Sequence, residues 1–173
     1  WTEDTRIASP AFKPVKMQPG HSYLLVIDLA AVEYEKYAPE AYSHGVSKAF
    51  DDWLSRNTQD QTSVKVLAIP DDRFFERMAD SERVRELPID LKKLRQTQSQ
   101  GFELTGSPFD YLASHSGNAP FTFGKTAFRI ETKAKAVGTG SIAFSFWVDG
   151  KPIDELSYAV CIVAKPEDPC VHT

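Results

Sequence analysis

Two cysteines, four histidines and scattered carboxylates are the side chains through which this sequence could do chemistry. His21, His44, His115 and His172 stand far apart, so no two share a helix face, and there is no Cys-x-x-Cys pair to start a zinc site. Nucleophilic catalysis needs a Ser or Cys beside a base held by a third group. The chain has no Gly-x-Ser-x-Gly elbow, and Cys161 lies inside Ala159-Val160-Cys161-Ile162-Val163, an apolar setting that raises a thiol pKa and dulls it. Gly138-Thr139-Gly140 belongs to none of the phosphate-cradling patterns and joins strand to strand, so it reads as a turn. No catalytic residue and no cofactor are expected from these patterns.

The carboxylates leave one catalytic alternative. Asp28 ends an apolar run, and Asp71 and Asp72 follow a second one, the places where α/β proteins set metal-binding or catalytic carboxylates. A small metal-dependent α/β hydrolase would use Asp28 with Asp71 or Asp72. Against it, Leu29-Ala30-Ala31 follows Asp28 where hydroxyl ligands would be wanted, and Asp71 and Asp72 are accounted for as helix caps. Cys161 and Cys170 admit two readings. A bridge would close a short loop and need an oxidising compartment, whereas a buried free thiol suits the apolar run around Cys161, and the free thiol is the favoured expectation.

The elements that must position these residues follow from hydrophobic period. Tyr23-Leu24-Leu25-Val26-Ile27-Asp28-Leu29 is a short, branched, almost wholly apolar run, the pattern of a strand buried on both faces. Between Pro39 and Arg56 the period lengthens: Tyr42, Val46, Phe50, Trp53 and Leu54 recur at helical spacing and predict an amphipathic helix weakened by Gly45. Val64 to Ile69 is a second strand stopped by Pro70, and Asp71-Asp72 predicts the start of a helix through Phe74, Phe75, Met78 and Ala79. Pro88 to Arg95 fits an edge strand or a short helix, and Pro108 to Ser114 a brief helix. From Phe121 the pattern is all β: Lys125 to Thr132 and Ser141 to Val148 alternate, Asp149-Gly150 is a strong hairpin signal, and Leu156 to Val163 completes a predicted three-stranded meander.

Composition narrows the classes. The 173 residues are 42% hydrophobic, which rules out a disordered chain and is enough for a real core. A net charge of -4 without a basic block argues against a nucleic-acid partner. No uncharged apolar run reaches the ~18 residues of a membrane-spanning helix. The chain opens at Trp1 without an apolar leader, which fits either a mature exported form, periplasmic or extracellular, or a cytoplasmic piece of a longer protein.

Two stretches, with the β-rich segments that follow them, together carry a resemblance. Tyr23 to Leu29, Val66-Leu67-Ala68-Ile69-Pro70-Asp71-Asp72-Arg73-Phe74-Phe75 and Phe123 to Ile130 precede Gly138 to Asp154, whose sharpest part is Val148-Asp149-Gly150-Lys151-Pro152-Ile153-Asp154. This resembles the accessory region that precedes the caspase-like peptidase domain in some bacterial CHAT-domain proteins, where a β-domain ends in a hairpin of that form. The resemblance implies a non-enzymatic accessory module, with the peptidase dyad in a different part of the parent chain and no catalytic residue among these.

The expected fold is therefore α+β: a lead-in over 1–22, a mixed α/β part over 23–120, and an antiparallel, sandwich-like β part over 121–173 packed with it as one unit. The expected function is interaction or regulation, with a protein partner or the remainder of the parent chain. With Phe144 and Phe146 inward, alternation puts Trp147 on the opposite face beside Ala143 and Ser145. The neighbouring strand Lys125 to Thr132 carries Lys125, Arg129 and Glu131 on the same face, so that Lys125 and Arg129 join Trp147 in a binding platform. The competing reading covers that face with the helix ending at Arg56, so that Trp147 meets Phe50 or Trp53 as core.

Overall fold

The computed structural model describes residues 15–31, 42–96, 102–107 and 122–170. Its elements run β1 (Val15–Met17), β2 (Ser22–Ala31), β3 (Tyr42–Gly45), α1 (Lys48–Arg56), β4 (Gln61–Pro70), α2 (Asp80–Arg83), β5 (Val84–Asp90), α3 (Leu91–Gln96), β6 (Phe102–Ser107), β7 (Thr122–Glu131), β8 (Gly138–Val148) and β9 (Lys151–Ile162). Helix and strand are mixed, but strands dominate. They form a five-stranded sheet in the order β1-β9-β8-β4-β5 and a four-stranded sheet in the order β3-β6-β2-β7. All pairings are antiparallel except β1 with β9.

Alternation decides which face of each sheet is apolar. Ile142, Phe144 and Phe146 of β8, Val64, Val66 and Ala68 of β4, and Leu156, Tyr158 and Val160 of β9 are all buried on one face of the five-stranded sheet. Leu25, Ile27 and Leu29 of β2 and Phe128 and Ile130 of β7 are buried likewise in the four-stranded sheet. These two faces meet in one core, where the rings of Phe128 and Phe144 lie 5.2 Å apart. The expected common burial of Phe128, Ile130, Ile142, Phe144 and Phe146 is therefore found, contributed by two sheets. Val26, Asp28 and Ala30 are also buried, so β2 is indeed covered on both faces.

The three-stranded meander is not formed. β7 pairs with β2, while β8 pairs with β4 and β9, so the chain changes sheets between Glu131 and Gly138. Alternation reports which face a residue occupies but not which strand lies alongside. At the corner where β7 passes β5, a Cβ on Gly124 would fall 2.0 Å from the Pro88 carbonyl oxygen, so only glycine permits the approach. Pro88 sits in edge strand β5, whose hydrogen-bonded neighbour is β4, and the strand and helix readings of 88–95 divide at Asp90.

The helix expected after Asp71 is a tight turn instead. The Asp71 carbonyl accepts from the Phe74 and Phe75 N–H groups, and the chain then joins the end of β7: Glu76 N–H donates to the Glu131 carbonyl and Lys133 N–H to the Phe74 carbonyl. Phe74 packs its ring on Gly140, where a Cβ would come within 2.5 Å of it, and Phe75 is buried opposite Thr132. Two adjacent buried aromatics and ladder bonds to a second strand outweigh the capping signal. The helix expected from Pro39 starts at Lys48, because Tyr42–Gly45 pairs with β6 as a strand; 39–41 and the helix expected over 108–114 lie outside the described residues.

Candidate functional site

β8 carries Trp147, Ser145 and Ala143 on the face turned away from the core. Across the ladders Trp147 faces Lys65 of β4 and Pro152 of β9, Ser145 faces Leu67 and Glu155, and Ala143 faces Ile69 and Ser157. Ile69 is 47% exposed, and Val84, opposite Leu67, is exposed as well. Trp147 is half-buried, yet its indole Nε1 is out of solvent with no hydrogen-bond acceptor among the described residues. The face therefore sets one large aromatic, small neighbours and two exposed branched side chains among the exposed charges of Lys65 and Glu155.

The competing reading, with the helix on this face, is not what the chain does. Phe50 of α1 packs edge-on against Phe146 at 6.3 Å and against Trp53 at 5.8 Å, on the core side of the sheet. The reason lies in the β8–β9 hairpin. Asp149 and Gly150 both take positive φ, 51° and 75°, and form the two-residue turn their types favour. The register then slips, with Phe146 opposite Asp154 and Trp147 opposite Pro152, which leaves Ile153 as an extra residue. The Ser47 hydroxyl donates to the Ile153 carbonyl, and Ser47 N–H donates to Asp154 Oδ2 at 2.7 Å. Ser47 also caps α1 by accepting the Phe50 N–H at 3.0 Å. The bulge thus anchors the helix on the core side and leaves Trp147 uncovered by it.

Lys125 and Arg129 are not beside Trp147. Both are exposed on β7, in the other sheet, where Arg129 lies opposite Leu24 and Lys125 opposite Asp28. The three residues occupy outer faces on opposite sides of a shared core, so they make no single platform. The expectation failed because it took β7 and β8 as neighbours. Ile69, Val84 and Leu67 are the surface members that sequence reasoning missed, although the alternation Val64/Val66/Ala68 against Lys65/Leu67/Ile69 carried the signal.

The carboxylates are likewise dispersed. Asp28 is 1% exposed and sits within β2, opposite Thr105 and Lys125 in the ladders, not at the strand's carboxyl end. It occupies the face of its sheet turned away from the core, whereas Asp71 follows β4 in the other sheet. Asp71 accepts from Arg73 Nη2 at 2.7 Å and from its Nε at 3.1 Å, and these bonds hold its carboxyl below the ordinary aspartate range. Asp72 is exposed and lines a groove of about 330 Å³ with Ile69, Pro70, Phe75, Met78 and the side chains of Glu76, Arg77 and Arg83. Among the described residues no three His, Cys, Asp or Glu side chains are grouped to hold a metal ion. His21 Nδ1 lies 2.8 Å from the Pro19 carbonyl oxygen within a turn, and His115 and His172 lie outside the described residues.

Cys161 and Cys170 are bridged, with Cα atoms 5.6 Å apart, which corrects the free-thiol expectation. Cys161 is buried, as its apolar neighbours suggested, but the turn at 165–168 folds the chain back over it. No helix among the described residues is long and apolar enough to cross a membrane. Compared with protein families, curated proteins and solved structures, the chain shows no significant match.

Proposed function

We propose that this chain is a non-enzymatic interaction module of a larger bacterial protein, and that it binds a protein partner, or the remainder of its parent chain, through the face built on Trp147 and Ile69. The observation that carries this reading is Trp147: a large aromatic on a sheet face with small neighbours, its indole N–H lacking an acceptor among the described residues. Tryptophan N–H groups withdrawn from water ordinarily find a partner, and tryptophan is prominent among the residues that dominate protein–protein binding. The resemblance through Val148 to Asp154 supports a role beside a caspase-like peptidase domain of the same protein.

The test pairs Trp147→Ala with Trp147→Phe and measures thermal melting alongside binding to the remaining domains of the parent protein. The reading expects melting to change by only a few degrees while Trp147→Ala weakens binding at least ~10-fold, and Trp147→Phe to recover part of it. A Lys125→Ala, Arg129→Ala double variant should bind as the parent does, because those residues lie on the opposite sheet. Loss of the fold with Trp147→Ala, or unchanged binding, overturns the proposal.

A further inference from the structure

β1 lies at the edge of the five-stranded sheet, and the Cys161–Cys170 loop supplies two of the hydrogen bonds that hold it. In the β1–β9 register Lys16 lies opposite Cys161, on the same face as the bridge. The loop closed by the bridge folds over so that Lys16 Nζ donates to the Asp168 carbonyl at 2.7 Å and to the Pro166 carbonyl at 3.1 Å. The turn is kept in shape by Asp168 N–H donating to the Lys165 carbonyl and Lys165 N–H to Asp168 Oδ2. β1 also has a parallel ladder with β9, continued by Val163 N–H donating to the Met17 carbonyl, the buried Met17 side chain and Val15 packed on the core, and the next residue, Gln18, donates its N–H to the Tyr23 hydroxyl and accepts from the Thr132 hydroxyl.

We infer that the Cys161–Cys170 bridge is a redox-sensitive latch on β1: oxidised, it holds the 165–168 turn over Lys16; reduced, it frees the turn and loosens β1 from the sheet. Cys170 is the more accessible of the two residues, since Cys161 is fully buried. A dithiol reductant would attack Cys170 Sγ as thiolate, break the S–S bond and release the Cys161 thiolate, leaving a mixed disulfide on Cys170. The reductant's second thiol then displaces Cys170, so the reductant leaves as a cyclic disulfide, two electrons pass to the bridge, and the two protein sulfurs end as thiols. The latch rests on the bridge and the Lys16 hydrogen bonds at the β1 edge and does not depend on the Trp147 surface, which is built on β8 and β4 of the same sheet.

The test is amide hydrogen exchange of the intact chain, with and without a dithiol reductant. Reduction should accelerate exchange at the Val163 amide about tenfold or more, while amides in the β4–β8 ladder change less than about twofold. Cys170→Ser without reductant should reproduce the reduced pattern, and Lys16→Gln in the oxidised protein should show a smaller acceleration at the same amide. Trypsin adds a second readout, since cleavage after Lys16 needs β1 off the sheet. Unchanged exchange at Val163 on reduction would overturn the latch. So would equal acceleration at Val163 and in the β4–β8 ladder, which would make the bridge a general staple.

Discussion

Replacing Phe144 by Ala removes a ring at the point where the two sheets meet. Phe144 is fully buried, its ring lies 5.2 Å from that of Phe128 across the core, and its ladder neighbours Ala68 and Leu156 are buried on the same face. The contact is between sheets, so neither strand can close the gap without moving its own ladder, and most of the cavity should persist. A Phe→Ala change under those conditions costs about 3–5 kcal/mol. For a chain of this length each kcal/mol lowers Tm by roughly 2–4 °C, so the expected fall is about 6–20 °C. Urea denaturation followed by tryptophan fluorescence gives the same quantity as a lower midpoint at unchanged slope. Ser145→Ala on the opposite face is the internal control and should stay within ~0.5 kcal/mol. A loss below about 1 kcal/mol for Phe144→Ala, or a larger one for Ser145→Ala, would refute the assignment of faces.

Two glycines should rank by what blocks them. Gly124→Ala meets the Pro88 carbonyl oxygen, which moves only if a strand moves, whereas Gly140→Ala meets the Phe74 ring, which can tilt. Denaturation should show Gly140→Ala costing about 1–3 kcal/mol and Gly124→Ala more than that. Ser47→Ala should lower stability by about 1–2 kcal/mol, since it removes both the α1 cap and the partner of the Ile153 carbonyl, and Ser47→Thr should retain most of it. Asp71, whose pKa the Arg73 hydrogen bonds depress, contributes stability that is present above its unfolded-state pKa and is lost as pH falls through the lower folded one. Melting temperatures of the parent and Asp71→Asn should therefore differ at neutral pH and converge as pH drops well below about 4.

Much of this architecture can be read from local pattern. Period-two alternation locates β4, β7, β8 and β9 and sorts their residues into faces, and Asp149-Gly150 locates the hairpin. What local pattern lacks is strand adjacency. Lys125 and Arg129 carry the same alternation whether β7 lies beside β8 or, as it does, beside β2, and the candidate platform divided on that point. β6 carries little local signal because Phe102–Ser107 holds few apolar residues and a glycine, and its pairing is set by β2 and β3. The turn at Asp71 shows tertiary bonds overriding a capping signal, since Phe75 and Glu76 engage the end of β7. The disulfide was undecidable in sequence because two cysteines set no framework, and only the fold-back at 165–168 brings them together.

The segment from Val148 to Asp154 joins the β8–β9 turn to the anchor of α1. Four of its residues have a folding job: Asp149 and Gly150 supply the positive φ of the turn, Ile153 is the bulged residue, and Asp154 receives the Ser47 N–H. None of these jobs is chemical catalysis. The sharpest part of the likeness is therefore a likeness of hairpin and helix anchor, and it bears on function through what that junction exposes. Because the bulge draws α1 to the core side, the same short motif that builds the hairpin also decides that α1 leaves Trp147 uncovered on the outer face. The hairpin motif and the proposed contact surface are then mechanically one feature. Straightening the bulge, by deleting Ile153, should release α1 and alter the Trp147 environment together, seen as a joint loss of helix signal and a shift in tryptophan emission. A shift in one without the other would show that the two are separately held.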